Sequence, residues 1–130
     1  MRALKLCIAI SLGLICIQDA FALTYDDAYS NIAVIETARF DAKECQRYVS
    51  DSEVKGDKWL RTVEPIHKRS VETLYVSAAQ KGLQGDQKSE FVRRTIASIQ
   101  MRVKRETLLS EKLCVNLEVL FRGYESFLKE

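Results

Sequence analysis

From Phe91 to Leu128 the chain contains no proline, and its first glycine in that stretch is Gly123. At about 100° per residue, Val92, Ile96, Ile99 and Val103 fall on one narrow stripe. Arg93, Arg94, Arg102, Lys104 and Arg105 spread over the opposite half of the cylinder. The pattern predicts a helix with one side turned to a core. A single helix from Asp86 to the C-terminus would have over ~40 residues and be about 60 Å long, with nothing to cover its distal leucines. Two antiparallel helices remove that difficulty, over approximately 87–107 and 111–129. The turn between Glu106 and Glu111 has no glycine, and Ser110 is placed to cap the second helix. Leu113, Leu117, Leu120 or Phe121, Tyr124 and Leu128 then point inward.

Earlier in the chain, Ala28, Ile32, Ile35, Ala38, Ala42, Cys45 and Val49 recur three and four apart. They predict a helix over 24–50, capped by Thr24 with Asp27 three residues on. Glu36, Arg39, Lys43 and Arg47 fall off that apolar face. From Asp51-Ser52 to Gly56 the residues read as a polar connection, and Trp59 as a side chain on it, docking surface and core lid being equally open. Pro65 fits a first helical turn, because its missing N–H is not needed there. That places the next helix at 61–81, or from Asp57 with a kink at Pro65, with Val63, Ile66, Ser70, Leu74 and Ala78 inward, Gly82 as its cap and Leu83-Gln84-Gly85 as the turn. Asp86 or Ser89 is placed to cap the third helix. The predicted fold is all-α: a small antiparallel four-helix bundle with one disulfide, after removal of an N-terminal signal peptide.

The signal peptide is read at 1–22. Arg2 and Lys5 precede an almost wholly apolar run from Leu6 to Ile17, and Ala20-Phe21-Ala22 has the small-x-small form of a cleavage site. The run is shorter than the about 20 residues a membrane span needs, so no stable transmembrane insertion is expected. Removing 22 of 130 residues leaves 108, one domain over 23–130. Two of the four cysteines, Cys7 and Cys16, go with the signal, and Cys45 and Cys114 remain. In an oxidising compartment, periplasm or exterior, that even pair is expected to be joined. The topology agrees, because the end of helix one and the start of helix four share a pole.

Charge narrows the partners. Without Arg2, Lys5 and Asp19, the 20 basic and 18 acidic residues become 18 and 17, a net charge of +1 with His67 neutral. A nucleic-acid partner, which favours a large basic excess, is not expected. The chain has no HExxH, no close cysteine pair and no CxxCH, so no metal, cofactor or haem is expected. His67 is the one histidine, with Ser70 in reach but no sign of a nucleophile elbow. Glu118 is the carboxylate most suited to partial burial, or to pairing with Arg122. No catalytic residues are assigned and no enzyme activity is expected. The candidate interaction surface comprises Trp59, His67, Arg93, Arg94, Arg102, Lys104 and Arg105.

These features favour an exported protein-binding module, such as an inhibitor or immunity protein of an exported enzyme or an accessory protein of the cell envelope. Its partner would be another exported or envelope protein. The alternative is a small-molecule or lipid carrier with a pocket between helices near Ile32, Leu74, Ile99 and Leu117. An enzyme of unknown class comes third.

Overall fold

The computed structural model describes residues 8–9, 14–15 and 22–130. The expected export segment, including Cys7 and Cys16, lies outside the described residues apart from those two short pairs and Ala22. The pairs form a two-residue antiparallel ladder, Ile8 opposite Ile15 and Ala9 opposite Leu14. Everything that follows is helical: α1 (Tyr25–Glu44), a 3-10 turn (Cys45–Arg47), α2 (Ser52–Gln80), α3 (Asp86–Glu106), α4 (Glu111–Val115) and α5 (Leu117–Glu125).

α1 begins where Thr24 accepts a hydrogen bond from the Asp27 amide at 3.1 Å and donates its own hydroxyl hydrogen to the Asp27 carboxylate at 2.8 Å. Its predicted stripe from Ala28 to Cys45 is buried throughout, and Val49 packs partly buried beside it. The helix proper ends at Glu44, before the expected Ser50, because the chain tightens into the 3-10 turn.

α2 departs furthest from expectation. It starts at Ser52, not near residue 61, and runs unbroken through Pro65. The presumed connector is helical because Ser52, Gly56, Trp59 and Val63, spaced four, three and four, all pack inward. A Cβ on Gly56 would lie 2.4 Å from the Ala42 Cβ, so this glycine allows α1 and α2 to approach closely. Ser52 donates its hydroxyl hydrogen to the Ala42 carbonyl at 2.7 Å. Pro65 forfeits one backbone bond on the exposed side of the helix, an expense of order 3 kcal/mol that the buried first half offsets.

Gly82 and Gly85 take the positive φ values, 81° and 49°, that turn the chain into α3. Neither predicted side-chain cap is used there: Gly85 holds the capping position and Asp86 is the first helical residue. The glycine-free break after Glu106 is present, with extended backbone at Thr107 and Ser110 and the Ser110 hydroxyl accepting from the Leu113 amide. The fourth arm is itself interrupted at Asn116, so 111–129 is a short α4 and a separate α5. Leu113, expected inward, is exposed, because Cys114 takes the inward position on α4.

Cys45 and Cys114 form the disulfide, Cα atoms 5.3 Å apart. It closes the pole where Ile35, Ala38, Ala42, Trp59, Val63, Leu117 and Phe121 gather. At the other pole Ala28, Ile32, Leu74, Val92, Ile99 and Val103 form a second core. α1 and α2 make the central pair, and both α3 and α5 pack against that pair, standing apart from each other.

Candidate functional site: the groove over α1

Because α3 and α5 stand apart, part of α1 remains open between them. Tyr29, Ser30, Ala33, Val34 and Thr37 form its floor, one helical face at spacings of one, three and four. Arg102 of α3 borders one side, and Tyr124 and Phe127 border the other, of an open depression of about 420 Å³. The Arg102 guanidinium lies over the Tyr29 ring, 5.2 Å from its centre, a cation–π contact that orients both side chains. Phe127 is 61% exposed.

Polar anchors hold the C-terminal wall against α1. The Asn31 side chain, fully buried, donates to the Lys129 carbonyl at 2.8 Å and accepts from the Lys129 amide at 2.7 Å. It also donates to the Ser70 hydroxyl at 3.1 Å, and Ser70 donates to the Ile66 carbonyl. The Ser70 hydroxyl is thus committed to the core and is no nucleophile for His67. Tyr124 donates its phenolic hydrogen to Asp41 Oδ2. Asp41 is fully buried and its second carboxylate oxygen has no hydrogen-bond partner among the described residues. Burial pushes the Asp41 carboxyl above its usual range, and the Tyr124 bond only partly opposes this. Burial and the adjacent carboxylate push the Tyr124 phenol upward. The Tyr124 phenol therefore stays the donor in this bond, which ties α5 to α1.

Sequence reasoning passed over Asp41 and Asn31, and it set Glu36 off the buried face. Glu36 is 6% exposed: Gln100 of α3 donates to it at 2.9 Å, and Arg39 lies 3.5 Å away. Glu118 takes the edge position of its two expected placements, exposed at the rim of another groove that Arg122 also lines.

The seven residues of the predicted surface are dispersed. Trp59 is 7% exposed and stacks on Phe121 at 5.3 Å, with its indole N–H donated to Glu125 at 2.9 Å. It floors a groove of about 310 Å³ between α2 and α5, so it is a core residue whose edge alone reaches a surface. His67 is half-buried in a groove of about 290 Å³ shared with Arg39, Arg61, Asp57 and Glu64. Desolvation and Arg39 lower its pKa, while Glu36 and Glu64 work the other way.

The basic half of α3 is not a single cationic field. Arg93 and Arg94 both bind the Glu90 carboxylate, at 2.7–2.8 Å and 2.5 Å, which lowers the Glu90 pKa to about 2. Arg102 faces Tyr29, with Glu106 3.9 Å away. Lys104 and Arg105 are exposed and form no ion pair within the described residues. Only Arg102 joins the groove over α1, and its aromatic companions lie 22 or more positions away in sequence.

Among the described residues, no helix is long and apolar enough to cross a membrane. No group of three or more His, Cys, Asp or Glu side chains there could hold a metal ion. Compared with family models, curated proteins and solved structures, the chain matches none of them.

Proposed function

We propose that the chain is an exported protein-binding module whose recognition surface is the groove over α1. The observation that carries this reading is the lining: Tyr124, Phe127 and Arg102 converge on the open α1 face that carries Tyr29. Tyrosine and arginine are among the residue types that contribute most to binding energy when a partner excludes water from them. The Asn31 clamp on Lys129 and the Tyr124 bond to Asp41 hold the C-terminal wall against α1 before binding, which lowers the entropy lost on association. An inhibitor or immunity protein of an exported enzyme fits this form, as does an accessory protein of the cell envelope. The signal-like pattern of the first 22 residues supports the compartment, periplasm or exterior.

A carrier needs space among Ile32, Leu74, Ile99 and Leu117, and these side chains are fully buried and line none of the grooves described above. The test is site-specific photocrosslinking in the native host. A photoreactive phenylalanine in place of Ser30 is expected to yield a discrete protein adduct, and the same group in place of exposed Glu72 on α2 is not. Equal adducts from both positions, or none from either, would overturn the reading.

A further inference from the structure

We infer that the groove over α1 receives an amphipathic helix of the partner protein, apolar toward α1 and carrying carboxylates along the flank that meets Arg102. The inference rests on the reading of the groove as a protein-binding surface, and it specifies what binds there.

Backbone chemistry selects a helix. Every residue of the floor, Tyr29 to Thr37, lies within α1, so its amide and carbonyl groups follow the helical bonding pattern and present no strand edge. A guest chain lying over side chains alone has no backbone partners and must bond to itself. The floor rises about 12 Å at 1.5 Å per residue, the reach of roughly two helical turns. Its central residues, Ser30 and Ala33, are small, which lets a second helix axis approach to the usual 8–10 Å or so. Arg102 on one side and Tyr124 and Phe127 on the other then supply the walls between which an apolar stripe at positions i, i+3, i+4 and i+7 would lie.

Charge selects the sign. Arg102 is the only charged side chain in the lining, and no carboxylate shares the groove with it. The other large grooves mix both signs: Asp57, Glu64, Arg39 and Arg61 line one, and Glu118, Glu125, Lys58 and Arg122 line another. Its own Glu106 is 69% exposed and only just within ion-pair range, so a guest carboxylate can displace it. Arg105, three residues on and unpaired among the described residues, extends the positive flank outward.

The probes are two synthetic helices stabilised by i,i+4 lactams, with identical leucine stripes. One carries glutamate along a flank and the other lysine. Binding to the oxidised full-length protein is followed by fluorescence anisotropy. The acidic helix is expected to saturate the protein about tenfold more tightly than the lysine helix, with the gap narrowing at high salt. Arg102→Glu should invert the order, and Phe127→Ser, at an exposed position, should weaken both helices.

Equal affinities, or binding unaffected by Phe127→Ser, would overturn the inference. So would sedimentation showing that a second copy of this chain already fills the groove. If Ser30 still crosslinks to a specific protein while both helices fail, the helical partner is wrong and the binding module stands. If both experiments fail, the two readings fall together.

Discussion

Replacing Gly56 with alanine sets two effects of opposite sign against each other. In an exposed helix interior, Gly→Ala stabilises by about 1 kcal/mol, because alanine loses less backbone entropy. At position 56 the new methyl would sit 2.4 Å from the Ala42 Cβ, with the Ala42 Cα at 3.8 Å and the Phe121 ring at 3.9 Å. Carbon atoms settle near 3.5–4.0 Å, so about 1 Å of separation must be found. Ala42 has no rotamer with which to yield, since its methyl is fixed to the α1 backbone. Relief requires α1 and α2 to part where Ala38, Trp59 and Phe121 interlock.

Overpacking costs about 1–3 kcal/mol, and a rigid clash belongs in the upper part of that range. The net expectation for Gly56→Ala is a loss of about 1–2 kcal/mol, a drop in Tm on the order of 10 °C for a domain of this size. The assay is urea unfolding of the oxidised protein by circular dichroism, read as a midpoint shift at constant slope. Ala42→Gly in the same background moves the notch to the facing helix and should recover part of the loss, a non-additivity of roughly 1 kcal/mol in the double-mutant cycle. A Gly56→Ala protein more stable than wild type, or strict additivity with Ala42→Gly, would refute the close approach of α1 and α2.

The remaining predictions concern the links that hold the C-terminal arm. Replacing Cys45 and Cys114 with serine opens a loop closed across a sequence separation of 69, and should destabilise the fold by up to about 4 kcal/mol. A difference below ~1 kcal/mol between oxidised and reduced protein would contradict it. The five-residue α4 should then lose protection in hydrogen exchange before the rest, since a helix that short does not persist unaided. Asn31→Ala leaves both backbone groups of Lys129 without their partner and should cost about 1–3 kcal/mol, with faster exchange of the Lys129 amide as its local sign. Asp41 has a carboxyl pKa raised above its ordinary 3.8, so its contribution favours the fold at acid pH and is lost as pH rises through the native value. Asp41→Asn keeps an acceptor for Tyr124 and removes this dependence. A wild-type minus variant difference in unfolding free energy that stays flat from about pH 4 to 8 would show that Asp41 does not titrate this way.

The residues that announce themselves in the sequence are those whose environment depends on neighbours one turn away. The α1 stripe from Ala28 to Cys45 is periodic because one side of that helix is apolar, and a local pattern suffices to find it. The break between Glu106 and Glu111 was legible without a glycine, since one unbroken rod would leave its distal leucines uncovered. The cysteine pairing follows from the same folding back.

Small and polar residues gave no such signal. Ser52 and Gly56 read as a connector because close helix contact uses the absence of a side chain, and absence has no hydrophobic period. Asn31 and Asp41 stand out from nothing around them in the sequence and Glu36 falls off the apolar stripe, whereas their hydrogen-bond partners Lys129, Tyr124 and Gln100 lie 98, 83 and 64 positions away. The groove over α1 was equally out of reach. Its floor is local to one helix, but whether that floor is covered depends on how far apart α3 and α5 stand. That separation depends on where each of the two helices packs on the α1–α2 pair, which involves residues far apart in sequence. Periodicity determined which side of each helix is apolar, and three-dimensional packing decided which polar residues were enclosed and which face was left open.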